Sequence, residues 1–141
     1  MKHVLIVEDH VERAALLREA LLRMSTPLDL TQTTTARQAV AALVDRPFGV
    51  VLLDFDFDLD GTLALLDTGS GADVAAEIVR RGGPPVVVHS RNFMQAQAVV
   101  ALLLRHDIAA AWVPLAGRLA VQAPAVAATA LALCDHAKKR S

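Results

Sequence analysis

Short apolar runs of strand length, alternating with longer segments of helical period, constrain this chain more than any other feature. His3-Val4-Leu5-Ile6-Val7, Gly49-Val50-Val51-Leu52-Leu53-Asp54 and Pro85-Val86-Val87-Val88-His89 run without polar alternation, the pattern of strands covered on both faces. Leu28 to Leu30 and Ile108 to Val113 add two more candidate strands. From Val11 to Met24, apolar Ala14, Leu17, Leu21 and Leu22 recur at three-to-four spacing among Arg13, Glu19 and Arg23, which predicts an amphipathic helix. Thr35 is a candidate N-cap for a helix through Val44, stopped by Pro47. Ala72 to Arg81 reads as a third helix ending at Gly82-Gly83. Asn92 caps a fourth through Arg105, and Gln122 to Lys138 is a final Ala-rich helix. Strict alternation of this kind predicts an α/β protein: one domain over residues 1–141, a doubly wound five-stranded parallel sheet, (βα)5, with helices on both faces.

Ligands of such sheets sit beyond the carboxyl ends of the strands, where the strand order reverses. Glu8 and Asp9 end the first strand, Asp54 ends the third, and His89 and Ser90 end the fourth. The charge distribution points to the same edge. With 15 acidic against 14 basic residues and a net charge of −1, the chain offers no global field for nucleic acid or an anionic membrane. At 54% hydrophobic residues it is not a disordered chain either. The balance breaks locally, since no basic residue lies between Pro47 and Val79 while Asp54, Asp56, Asp58, Asp60, Asp67, Asp73 and Glu77 fall there.

The single cysteine, Cys134, fits a reducing compartment. The apolar run Val4 to Val7 is too short for the core of an export signal and ends in acids. Ala123 to Cys134 falls short of the roughly 20 residues of a membrane span. A cytoplasmic protein with no nucleic-acid or membrane partner is therefore expected.

Carboxylates converging in a cleft raise one another's pKa unless a cation sits among them. Mg2+ takes a few carboxylate oxygens, keeps waters and leaves room for a phosphate, so the acidic strand ends are a candidate Mg2+ site. Capping of the next helix explains Glu8 and Asp9 equally well. It does not explain Asp54, which closes an apolar strand.

Val4-Leu5-Ile6-Val7-Glu8-Asp9-His10, Val50-Val51-Leu52-Leu53-Asp54 and Val86-Val87-Val88-His89-Ser90 resemble the strand-end motifs of receiver domains of two-component response regulators, which have a flavodoxin/CheY-like fold. The resemblance covers nearly the whole chain. It implies that Glu8 and Asp9 hold Mg2+, with Asp54 as a further ligand and Asp56 binding through its backbone carbonyl. It makes Asp54 the phosphoacceptor, a carboxylate nucleophile, and Ser90 the hydroxyl that closes on the phosphoryl oxygens. The partners implied are a histidine kinase or phosphotransfer protein, a downstream protein, and a second copy of the chain through the face of the fourth helix and fifth strand, where Val99-Val100-Ala101-Leu102-Leu103-Leu104 is apolar beyond one face. As a stand-alone domain it would pass its signal on by protein contact.

Two departures from that family matter. Its Lys before a Pro at the end of the fifth strand is replaced, since Val113 precedes Pro114 and no lysine lies between Lys2 and Lys138. Loss of a cation aimed at a phosphoryl group should cost several kcal/mol of charge stabilisation; Arg91 is a possible substitute, with a solvated surface role as the simpler reading. The second departure is a long acidic loop at about 55–71. Asp56-x-Asp58-x-Asp60-Gly61, with Asp67, follows much of the Ca2+-loop pattern, while a solvated acidic loop explains the same residues. Asp58-Leu59-Asp60-Gly61-Thr62-Leu63 also resembles the nucleophile motif of haloacid-dehalogenase-type phosphatases, whose downstream Lys and late acidic pair have no counterpart here.

Leu53-Asp54-Phe55-Asp56, Thr68-Gly69-Ser70-Gly71 and Val88-His89-Ser90-Arg91-Asn92 resemble a receiver-derived family that processes cyclic phosphates on nucleotides. That resemblance makes His89 a proton donor, with Ser90 facing the phosphate and Asn92 orienting it. A strand-end histidine satisfied by backbone is the structural alternative. The expectation is an atypical receiver with an acidic Mg2+ pocket and Asp54 as phosphoacceptor. The rivals are a cyclic-phosphate enzyme on the same pocket and a pseudo-receiver that serves only as an interaction module.

Overall fold

β1 (Lys2–Val7) forms because His3 to Val7 is an apolar run with no turn residue, and its last four residues are buried. The computed structural model describes residues 2–54, 71–90, 93–114 and 119–140. Along them follow α1 (Val11–Leu22), β2 (Leu28–Thr33), α2 (Ala36–Asp45), β3 (Val50–Asp54), α3 (Gly71–Arg81), β4 (Val86–Ser90), α4 (Phe93–Arg105), β5 (Ala110–Pro114) and α5 (Leu119–Arg140). The five strands form one sheet in the order β2-β1-β3-β4-β5, and every pairing is parallel.

Strand alternation divides the core in two. Val4, Ile6, Val50, Leu52 and Val87 pack with Leu17, Leu21, Val126, Ala127 and Ala130 of α1 and α5. Leu5, Val7, Val51, Leu53, Val86 and Val88 pack with residues of α2, α3 and α4, among them Ala39, Ile78 and Leu103. The middle strands have no solvated face, which is why their sequences read as continuous apolar runs.

Helix ends follow the predicted chemistry where side chains govern it. The Thr35 hydroxyl accepts the Gln38 N–H at 3.0 Å and caps α2. Gly82, at φ 75°, ends α3; its N–H donates to Val79 O and that of Gly83 to Ile78 O, the paired bonds of a Schellman turn. α4 ends in the same way without a glycine. Asp107 stands at φ 60°, Asp107 N–H donates to Leu104 O and Ile108 N–H to Leu103 O. Ile108 thus closes a helix and enters the core instead of opening β5, which begins two positions later at Ala110. β2 extends past its apolar residues to Thr33 because its ladder with β1 supplies the hydrogen bonds that sequence pattern cannot reveal. Among the described residues, no helix is long and apolar enough to cross a membrane.

Candidate functional site

β1 departs to β2 on one side of the sheet and the chain returns to β3 on the other, so strand order reverses between β1 and β3. The carboxyl ends flanking that point carry Glu8 and Asp54. Register then fixes which side chains meet. Val7 pairs with Leu53, so Glu8 comes level with Asp54; Asp54 pairs with His89, and His89 with Val113. All four continue the strand phase that faces α1 and α5.

Glu8, Asp54 and His89 are fully buried, and one ligand atom from each lies within 4.8 Å of the others. Glu8 Oε1 is 3.5 Å from His89 Nε2 and 3.9 Å from an Arg13 guanidinium nitrogen. Glu8 Oε2 accepts the His10 N–H at 3.2 Å. The residue at the N-cap position of α1 is His10, whose side chain makes no cap bond. One Glu8 oxygen thus accepts from the backbone at the start of α1, and the other faces His89 and Arg13.

Burial pushes the Glu8 carboxyl above its usual range. Contact with Asp54, the Arg13 charge and the His10 N–H each pull it back down, and Asp9 pushes it up again. Asp9 itself is exposed and is not one of the three clustered ligands. Ser90 is fully buried beside His89, its carbonyl accepting the Trp112 Nε1–H at 3.2 Å. Asp56, Arg91, Asn92 and the Ca2+-like loop from Asp56 to Asp67 lie outside the described residues.

Arg13 is the residue that sequence pattern did not single out. It reads as one more polar position on α1, and only the return of α1 over the sheet carries its guanidinium to Glu8. Val113, where the receiver resemblance calls for Lys, is partly buried and packs against the α1/α5 core. The neighbour of His89 on β5 is therefore apolar.

The architecture matches known structures over nearly its whole length. The signal receiver domain of a LuxO repressor protein from Vibrio parahaemolyticus superposes with a TM-score of 0.74 at 18% identity, covering 99% of this chain and 94% of that one. A CheY-like response regulator receiver domain from Methanospirillum hungatei gives 0.68 at 13% identity, over 100% and 99%. The Mn2+-bound form of the response regulator Rcp1 gives 0.68 at 20% identity, over 91% of each chain. The fold is that of a CheY-like receiver domain. No protein-family model matches the sequence, and no curated protein does. At these identities the likeness carries the fold, while the chemistry must be argued from the pocket's own residues.

That cluster combines two buried carboxylates with an imidazole and has one guanidinium at its side. Two acids this close are held together by a cation or by a shared proton. Glu8 Oε1 accepts no hydrogen bond among the described residues, and a buried carboxylate oxygen left so is costly without a ligand. The donor set therefore fits a divalent cation: Glu8 and Asp54 would hold it with anionic oxygens, and His89 stands within reach of the same centre.

Proposed function

We propose that this chain is an atypical receiver whose Asp54 accepts a phosphoryl group with the help of a divalent cation. The observation that carries this reading is the convergence of Asp54 with Glu8 at the point of strand reversal, inside a cluster of ligand atoms within 4.8 Å of one another. An Asp54 carboxylate oxygen forms a bond to phosphorus while the bond from phosphorus to the donor breaks. The leaving electron pair departs with a histidine nitrogen of a kinase or phosphotransfer protein, or with the acyl oxygen of a small phosphodonor.

Glu8, Asp9 and Asp54 would hold the cation, with Asp56 contributing its backbone carbonyl; the ion, Mg2+ in the sequence-based expectation, supplies charge neutralisation for the phosphoryl oxygens. Ser90 would donate its hydroxyl to one of those oxygens. Arg13 helps keep Glu8 ionised. The similar structures include a Mn2+-bound response regulator and a phosphorylated cyanobacterial phytochrome response regulator, which supports the assignment by analogy of fold. The signal would leave through α4 and β5, where Met94 and Leu104 are 79% and 53% exposed. That surface would receive a downstream protein or a second copy of the chain.

The test is incubation of the protein with acetyl phosphate and Mg2+, and in parallel Mn2+, followed by intact mass measurement. A phosphoryl adduct that disappears in Asp54→Asn supports the reading. Cation binding without any adduct overturns it and leaves an interaction module that takes no phosphate.

A second reading rests on one observation, the pairing of His89 with Asp54 in register. Water would then form a bond to the phosphorus of a cyclic phosphate on a nucleotide as the bond from phosphorus to one ribose oxygen breaks, and His89 would donate the proton to that leaving oxygen. Turnover of such a nucleotide, lost in His89→Ala and independent of acetyl phosphate, would favour this enzyme over the phosphorelay.

A further inference from the structure

Phosphoryl transfer to Asp54 makes no use of His89, although it is fully buried and continuous with the two carboxylates. A strand position covered on both faces ordinarily carries an apolar residue, as Val86, Val87 and Val88 do in the same strand.

The geometry around it is that of a ligand set. Glu8 Oε1 and His89 Nε2 are 3.5 Å apart. Two ligands bound at about 2.0–2.2 Å with tetrahedral angles are separated by roughly 3.4 Å, which is the spacing of this pair. The third donor, from Asp54, lies within 4.8 Å of both. Glu8 Oε1 accepts no hydrogen bond among the described residues. Two carboxylates and one neutral imidazole also balance the charge of a dication inside a buried site.

The donor chemistry narrows the choice of ion. Mg2+ requires oxygen ligands in near-octahedral array and dehydrates reluctantly. First-row transition ions accept imidazole together with carboxylate, and a mixed N and O set suits Zn2+, Co2+ or Fe2+.

We infer that the pocket selects a nitrogen-accepting transition dication over Mg2+, with His89 as the ligand that sets the preference. This rests on the proposed reading to the extent that Glu8 and Asp54 are metal carboxylates in both. It differs in making β4 a source of metal ligands. An oxygen-only site also binds Zn2+ more tightly than Mg2+, so the diagnostic quantity is how far the preference depends on His89.

The experiment is calorimetric titration of the chelator-treated full chain with Zn2+ and, separately, Mg2+, for the wild type, His89→Gln and His89→Leu. The visible spectrum of bound Co2+ provides a second readout. Gln retains a polar group and Leu restores the apolar pattern of the strand, so a folding failure in one variant leaves the other. His106→Ala controls for binding by an exposed imidazole and should titrate as wild type. Loss of His89 is expected to weaken Zn2+ binding by about tenfold or more, to change Mg2+ binding by less than about threefold, and to alter the Co2+ spectrum. Equal Zn2+ affinities in the wild type and the His89 variants would overturn the inference. If Mg2+ binding and the Asp54 adduct persist in that event, the phosphoacceptor reading stands and only the role of His89 falls. If neither ion binds in a manner sensitive to Glu8→Gln, the metal assignment falls in both.

Discussion

His89 Nε2 lies 3.5 Å from Glu8 Oε1, and both side chains are fully buried. Glu8 directly follows β1 and His89 lies on β4, two strands that do not touch: β1 pairs with β3 and β3 with β4. Asp54 stands between them in the ladder. Parallel register therefore places three titratable groups side by side at one sheet edge, where local sequence shows only three separate strand ends.

One consequence concerns the cation-free protein. Burial holds the folded-state pKa of Glu8 above its unfolded value. Its contribution to stability is then fully present below the unfolded pKa and is lost as pH rises through the folded one. Glu8→Gln, measured with chelator present, is expected to raise the urea midpoint at neutral pH, and the gain should vanish near about pH 4. Added dication should reverse the order at neutral pH by stabilising only the wild type. A neutral-pH midpoint lower than wild type in chelator would contradict the burial argument.

Glu77 behaves in the opposite sense. Hydrogen bonds from Arg80 and then Arg81 hold its carboxyl below the usual range, at 2.6 Å and 2.8 Å. A depressed pKa contributes stability above the unfolded pKa that is lost as pH falls through the folded one. Glu77→Gln should lower the melting temperature at neutral pH and leave it unchanged at acid pH. The neutral-pH loss should shrink in high salt, which screens exposed partners.

The apolar neighbour of His89 offers a gain-of-function test. Val113 pairs with His89 and packs on the α1/α5 core, at the position where the receiver resemblance calls for Lys. A preorganised cation aimed at phosphoryl oxygens is worth about a hundredfold in rate. Val113→Lys is expected to raise the rate of Asp54 phosphorylation by acetyl phosphate at least about tenfold, read by intact mass against time. An unchanged rate in a folded variant would show that charge at this place does not limit the reaction.

Gly49 marks a close approach at the amino-terminal end of β3, the opposite end of the strand from Asp54. A Cβ added there would meet Cys134 Sγ at 2.8 Å, and Gly49 N–H donates to His3 O at 2.8 Å, which resists movement of the backbone. Gly49→Ala is expected to cost about 1–3 kcal/mol, as overpacking does. Removing the sulfur in Gly49→Ala/Cys134→Ala should recover a measurable part of that loss beyond additivity. Strictly additive denaturation free energies would show that Cys134 is not the obstacle.

Much of the architecture was present in local pattern. Val4 to Val7, Val50 to Leu53 and Val86 to Val88 announced doubly covered strands, Thr35 and Gly82 announced helix ends, and their alternation implied a parallel sheet with its site at the carboxyl edge. Where nonlocal bonds decide, pattern failed: the polar half of β2 is a strand through its ladder with β1, and Ile108 belongs to a helix-terminal turn because Asp107 adopts a positive φ. At the site, sequence identified Glu8, Asp54 and His89 as strand-end residues, since a polar group closing an apolar run is visible in one dimension. Which of them meet was decided by register and by the order β2-β1-β3-β4-β5. The approach of Arg13 to Glu8 depended on how α1 returns over the sheet. Periodicity is a property of each segment alone and can be read from the chain. Distance between a carboxylate just past β1 and an imidazole on β4 is a property of their packing, and only the folded sheet sets it.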